Sequence, residues 1–484
     1  MMNHSRPVIY LLGLIFLVCG SLQAQDIWTL ERCIQYARDH NIQIKQSALQ
    51  VRMARLTLQQ SRLSRLPTLS ATPEYGYNFG RSIDPTTNTF VTSKLAFSSI
   101  GLNMGLNLFT WFQQINTIAA NRYAAAASNS ALEKLKNDVS LNVATAYLQI
   151  LANKEQVQAD EQQVQLSTSE LNNTTKQVQS GYLPESNQAD LEAQQARDSA
   201  TLIGARNTLI ISILQMKALL NLNFSTPFDV EAPQNIDEIP LLDLTQENPD
   251  LIYQEALNNQ PQMAEDSFIV KSASKSLKAA RGAYFPSLSL FGGMATSYSS
   301  QYLRPSESLI TYPAMPIGTV SINNTNYTVN SYSQQVLVPT YSKTPLTTQM
   351  GDNFRQDFGL ALNIPILNGW QIRTNVQRAH INLLNDQLTF EQDRLTLKQN
   401  IFQAYADAKG SLENFHAAMK TLEDSQIAFD FATKRYNLGL INSVDYLTTQ
   451  NNLFAAKTNL LTAKYTYIFK VKLLEFYKNL QLTL

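Results

Sequence analysis

Residues 155–177 read EQVQADEQQVQLSTSELNNTTKQ, and the fold turns on how their few apolar side chains are spaced. Val157, Val164 and Leu171 stand seven apart, and the interval continues outward to Ile150 and Val143 on one side and to Val178 on the other. No proline interrupts residues 112–180. A sustained seven-residue repeat under-winds a helix and imposes a left-handed supercoil against its neighbours. At about 1.5 Å per residue such a helix is on the order of 100 Å long, more than a compact domain needs. Gln, Asn, Ser, Thr and Lys surround the stripe. Two wet faces with apolar seams between them describe a stave in the wall of a hollow tube.

The stripe is written twice. Moving each position on by 258 gives Ile401, Ala408, Phe415, Leu422, Phe429 and Tyr436, all apolar, with no gap required. The same offset pairs Asn142 with Asn400, Ala146-Tyr147 with Ala404-Tyr405, Thr175-Lys176 with Thr433-Lys434, and Gly181 with Gly439. Further towards the N-terminus an offset of 219 pairs Val51, Ala54, Leu58, Arg62, Pro67 and Leu69 with Val270, Ala273, Leu277, Arg281, Pro286 and Leu288. The two offsets differ by 39 residues, which a longer second loop absorbs. The chain is therefore one unit of helix, hairpin, helix and helix, duplicated.

The hairpins carry a different period. In TLSATPEYGYNFG the odd positions Leu69, Ala71, Tyr75, Tyr77 and Phe79 are apolar or aromatic, while Thr68, Ser70, Glu74 and Asn78 are polar. In SIGLNMGLNLF the apolar set is Ile100, Leu102, Met104, Leu106 and Leu108. SLSLFGGMATSY and FRQDFGLALNIPI repeat the theme less cleanly. Period two gives a strand one greasy and one wet face. Pro67 and Pro286 each end a helical run and open a strand. Polar loops at 81–93 and roughly 300–352 join the members of each pair. Long loops at one side and helices at the other suit a barrel facing two compartments, whereas short turns would suit a soluble sandwich. Four strands cannot close a barrel, for which about eight is the practical minimum, so either the chain oligomerises or the barrel reading fails.

Composition narrows the function. Hydrophobic residues make up 44% and charged ones 16%, and 38 basic side chains balance 38 acidic ones. No basic excess exists for phosphate binding, so nucleic acid is not an expected partner. His4 and Arg6 precede the apolar run VIYLLGLIFLVC, too short to span a bilayer, and SLQA offers Ala24 as a cleavage point. Export from the cytoplasm follows. After cleavage Cys33 is the one remaining cysteine, read as a small apolar filler. Beyond the signal no 18-residue window is apolar enough for a membrane helix. His40, His380 and His416 share no metal-ligand spacing, and no catalytic triad or phosphate-loop pattern occurs, so no enzyme activity, cofactor or metal is expected.

The order of signal, helix, proline-led strand pair, very long helix, glycine corner and return helix, all duplicated, resembles the TolC family of outer-membrane efflux channels. ATKRYNLGLINSVDYLTTQNNLFAAKTNL is similar to that family's second helical corner, with aspartate six residues after the glycine. YNFGRSIDPTTNTF resembles the first outer loop of Bacteroidetes members. The resemblance spans about residues 27–480. It implies a mainly α fold with membrane β: a long periplasmic α-helical coiled-coil barrel continuous with a twelve-stranded β-barrel, to which each chain of a homotrimer gives four strands. Residues 1–24 are then a signal peptide and 25–484 a single channel domain in outer-membrane lipid. Within it lie a first repeat, 28–220, with strands 68–80 and 95–109; a connector, 221–250; and a second repeat, 251–482, with strands 286–298 and 354–366. The implied function is the exit duct of a tripartite efflux or type I secretion system, passive and driven by an inner-membrane pump through a periplasmic adaptor. A coiled-coil spacer or adhesin without a lumen is the alternative; it explains the heptads but not the amphipathic strands.

Two corners are the candidate working parts. Gly181, Tyr182 and Leu183, with Gly439, Leu440 and Ile441, are the expected adaptor-docking tips. Gly439 suits the left-handed residue past a helix end, Asn442 or Ser443 can cap the returning helix, and Asp445 then sits in its first turn. By resemblance Tyr436 and Asp445, with Asn187 as the first-repeat counterpart of Asp445, constrict the inner mouth. Ile441 stands where an arginine can be found in the family and Thr448 where a second acid can be found, which argues against a salt-bridged lock. Any gate rests on Tyr436 packing and a ring of Asp445.

Overall fold

The computed structural model describes residues 27–83, 88–92, 94–231, 244, 247–480 and 482. The signal-peptide reading, and much of the connector, lie outside the described residues.

The duplication is visible in the helices. In the first repeat they are α1 (Leu30–His40), α2 (Ile42–Leu63), α3 (Gln113–Gln179) and α4 (Glu185–Leu220). In the second they are α5 (Pro249–Asn259), α6 (Pro261–Gly282), α8 (Gln371–Asn437) and α9 (Ser443–Asn479), with a short α7 (Leu346–Asp352) between α6 and α8. The long helices α3 and α8 are both 67 residues, with boundaries related by the offset of 258. Helices α1 and α2 map onto α5 and α6 by 219, residue for residue. A sequence written twice has made the same local choices twice.

The chain divides into two compact units, each drawing on both repeats. Among its described residues the first, drawn from 1–58, 119–275 and 379–484, has helices and a two-residue parallel pairing of β1 (Ile27–Trp28) with β6 (Asp229–Val230). Its stripe residues Val143 and Ile150 are fully buried, as are Ile401 and Ala408. They belong to two separate cores: Val143 and Ile150 pack with Met216, Leu220, Tyr465 and Ile468, while Ile401 and Ala408 pack with Ile252, Val471 and Leu474. Helix α9 thus serves both cores from neighbouring turns. Farther along, Val164, Leu171 and Val178 are half-buried, as are Phe415, Leu422, Phe429 and Tyr436. Cys33 lies fully buried in the first core, where burial pushes its thiol up to about 12, in keeping with a filler role.

The second unit, residues 59–118 and 276–378, holds the sheet. Its strands are β2 (Thr68–Asn78), β5 (Leu95–Phe109), β7 (Ser287–Ser299) and β12 (Arg355–Asn363), antiparallel in the order β12-β7-β5-β2. Register brings the apolar positions of all four strands into common rows: Leu69 opposes Met104, Met104 opposes Gly292, and Gly292 opposes Phe358. Leu106, Leu290 and Leu360 form a second row. The alternate rows carry Thr68, Ser70, Asn103, Ser289 and Asp357. One face is therefore apolar across its full width, yet it is uncovered at both edge strands: Phe358 is 88% accessible and Leu69 67%. Strand β12 stops at Asn363 rather than reaching 366, because Pro365 has no N–H for the ladder.

The expected loops are not loops throughout. Residues 81–93 contain a short pairing of β3 (Arg81–Ile83) with β4 (Phe90–Thr92). Between 300 and 352 the chain forms β8 (Leu303–Tyr312), β9 (Pro316–Ile322), β10 (Thr325–Asn330) and β11 (Gln334–Lys343), with β8 paired to β11 and β9 to β10. The turn between β9 and β10 is Asn323-Asn324, with φ of 51° and 62°, the left-handed pair that a two-residue hairpin requires. Helix α7 then closes back on β7: buried Gln349 accepts from the Ser299 N–H at 2.9 Å and donates to the Ser299 and Thr344 carbonyls.

Candidate functional site: the helical corners

Both corners end their long helices in the same way. Past α3, Gly181 has φ +73° and donates to the Val178 carbonyl at 2.9 Å, while Tyr182 donates to the Gln177 carbonyl at 2.8 Å. Past α8, Gly439 has φ +69° and donates to Tyr436, and Leu440 donates to Arg435, both at 2.9 Å. This paired pattern satisfies the last carbonyls of a helix through a left-handed residue, for which glycine has no Cβ penalty. A Cβ at either glycine would meet nothing within 4 Å, so backbone conformation alone selects glycine there. Helix α4 restarts after Pro184, and α9 restarts at Asn442, whose side chain accepts from the Asp445 N–H at 2.8 Å. Of the two expected caps Asn442 takes the role. Ser443 instead donates to the Asp190 carboxylate at 2.7 Å and ties α9 to α4.

The tips present apolar side chains to solvent. Tyr182 and Leu440 are exposed, as are Leu438 and Val444, while Leu183 and Ile441 are half-buried. Ile441 packs with Tyr436, Phe429 and Leu171 against the buried Leu191, Tyr446 and Leu447. An apolar residue in place of arginine at 441 therefore has a packing job within its own chain.

Tyr436 stacks on Tyr446, ring centroids 4.6 Å apart and planes at 15°, and Tyr446 leans on Phe429 at 5.6 Å. The Tyr436 hydroxyl is buried without a hydrogen-bond partner, so contact rather than hydrogen bonding holds that ring. Asp445 is exposed and Asn187 half-buried. Within one chain no hydrogen bond joins Tyr436, Asp445 and Asn187 among the described residues. Thr448 donates to the Val444 carbonyl of its own helix at 2.8 Å.

The periodicity did not single out the polar ladder beneath these rings. The Tyr446 hydroxyl donates to Glu170, and Gln450 Nε2 donates to the other Glu170 oxygen at 2.9 Å. Burial raises the Glu170 carboxyl above its usual range, and those two hydrogen bonds oppose the rise. Farther along, Gln194 donates to Asp198 at 2.8 Å and to Asn451 at 3.0 Å, and Gln163 donates to Asp198 at 3.3 Å. Tyr446 and Gln450 are four apart on one helix face, a signal that points to a shared partner only once α3 is known to lie against that face. Gln450 also borders a cavity of about 150 Å³ shared with Gln163, Gln426 and Lys457, room for a few waters rather than cargo.

A duplicated chain with long paired helices and a sheet whose apolar face is left uncovered is built as a membrane channel subunit. A family model described as outer membrane efflux protein matches residues 33–222 and 252–474, one segment in each repeat, and the chain belongs to that family. The chain is 21% identical over 470 residues to the outer membrane protein TolC of Escherichia coli (strain K12), covering 95% of this chain and 83% of that one. It is 20% identical over 394 residues to the outer membrane efflux protein BepC of Brucella suis, covering 81% and 73%. Its fold is similar to the crystal structure of CusC, with a TM-score of 0.74 at 18% identity over 93% of this chain and 91% of that one. The Campylobacter jejuni CmeC outer membrane channel gives 0.72 at 18% identity, covering 93% and 86%. The protein is thus an outer-membrane efflux channel of the TolC type, a transport duct and not an enzyme. The spacer or adhesin reading has no support.

Proposed function

We propose that this channel works as a homotrimer, fed through a periplasmic adaptor by an inner-membrane pump. One observation carries the association, and resemblance to the family supplies the count of three: the four-stranded sheet ends in two unpaired edges, β2 and β12, while its apolar face is uncovered. Open edges are not tolerated in lipid, where each unpaired backbone group costs several kcal/mol. Three copies joined edge to edge make twelve strands and remove every edge. Residues 1–24 serve as the export signal and 25–484 as one channel chain.

In this assembly the corners at Gly181 and Gly439 face the pump and form the docking tips, because Tyr182 and Leu440 hold apolar surface in water there. The inner mouth narrows at Tyr436, held by its stack on Tyr446, and three copies of Asp445 set its charge. A wall lined with neutral amides suits cargo chosen by the pump. Gly439→Val tests the docking role. A branched Cβ at φ +69° costs about 1–2 kcal/mol locally. Efflux in intact cells is expected to fall while trimer yield holds; loss of the trimer, or unchanged efflux, would contradict a docking tip.

A further inference from the structure

The 39 residues by which the second repeat exceeds the first lie in the β8–β11 arm, and nothing in the family reading gives that arm a task. It leaves the sheet at the end of β7 and returns at the start of β12, opposite the strand ends that join the helices. It forms two successive two-stranded sheets, neither of them paired to the membrane sheet. In the outer one Tyr327 opposes Val320 and Val329 opposes Gly318, which with Ile322 sets one apolar face. The other face carries Ser321 against Asn326 and Thr319 against Thr328. All these residues are exposed. An amphipathic two-stranded hairpin is marginal in water unless something covers its apolar side.

Charge identifies the cover. Residues 308–342 contain no Asp, Glu, Lys, Arg or His, in a region where a solvated surface would carry a charge at roughly one position in four. Natural sheets guard bare edges with charges, lysine above all. This arm omits them throughout its outer sheet and confines them, as Arg304, Glu307 and Lys343, to the base of the inner one. Where three copies of one face meet on their own symmetry axis each charge would face its like, so an uncharged face suits self-association there, while a partner of different sequence could be selected by charge. The arm also leads, through α7, into β12, the edge strand that meets the next protomer in the proposed trimer.

We propose that the arms of neighbouring protomers pack against one another through the Val320, Ile322, Tyr327 and Val329 face, forming an uncharged cluster of three arms on the outer side of the membrane. This rests on the trimeric reading, and the test separates the two. Single cysteines are placed in the full-length chain at Tyr327→Cys, on the apolar face, and Thr328→Cys, on the polar face. The chain's own Cys33 is buried and stays silent. Cells are treated with a short bifunctional maleimide, and outer-membrane protein is separated under denaturing conditions. Tyr327→Cys is expected to give a majority of chain-to-chain adducts at twice the chain mass, and Thr328→Cys to remain single and to react at least ten-fold faster with a membrane-impermeant maleimide. Equal labelling of the two without adducts, in a protein that still forms trimers in detergent, overturns the inference and leaves the functional reading standing. Adducts to a protein of different mass overturn it in favour of another partner, and absence of any trimer overturns the functional reading itself. As a second measurement, replacing residues 316–330 by a short Gly-Ser turn is expected to lower the temperature at which the trimer dissociates; an unchanged temperature counts against arm-to-arm packing.

Discussion

Asp266 is buried on α6, beside Asp393 of α8. Gln262 donates to Asp266 Oδ1 at 2.9 Å and to Asp393 at 3.4 Å, while Asp266 Oδ2 has no partner. Burial, then repulsion from Asp393, lifts its carboxyl from 3.8 to about 6. A carboxyl raised in the folded state prefers its proton there, so its stabilising contribution is present in full below the unfolded value and is lost as pH climbs through about 6. Asp266→Asn supplies a permanent donor towards Asp393 and no charge. It is expected to raise the thermal midpoint at pH 8, by up to about 3 kcal/mol in stability, and to change little at pH 4, as read by melting in detergent. The proposed mouth residues separate in the same way. Tyr436→Ala removes one face of the Tyr446 stack and is expected to raise resting single-channel conductance. Asp445→Asn is expected to lower cation preference without comparable leak, since three exposed carboxylates around an axis attract cations but latch nothing. A larger leak from Asp445→Asn than from Tyr436→Ala would refute the packing gate.

At the scale of elements, what could be read depended on whether the physics was local. Helix boundaries follow from proline, glycine and the duplicated stripe, and the strands from period two. The left-handed glycines were legible because a helix ended there; the Glu170–Tyr446–Gln450 ladder was not, because Glu170 and Gln450 are 280 residues apart in sequence and meet only through the packing of α3 against α9. The arm was missed for another reason. Its Ser, Thr, Asn and Tyr content reads as loop, although TVSINNTNYTV alternates around an Asn-Asn turn. The sheet's two faces make a direct comparison possible. Phe358→Arg puts a charge on the apolar face and costs about 2–4 kcal/mol per chain at mid-membrane. Ser289→Arg lies on the polar face of the neighbouring strand. The first is expected to abolish folded protein in outer-membrane fractions, and the second to leave most of it; equal yields would mean that the apolar face does not meet lipid.

For the whole molecule, the duplication explains why one chain can supply staves at two places in a wall, and why its two helical cores share α9. It does not explain how the sheet avoids its edges, and only association with further copies does. That association is the central claim, and the mass of the purified protein in mild detergent, with the detergent's own contribution subtracted, tests it most directly. The account predicts three chains per particle, which heating converts to single chains. A folded particle of one chain, stable in detergent with β2 and β12 unpaired, would contradict it.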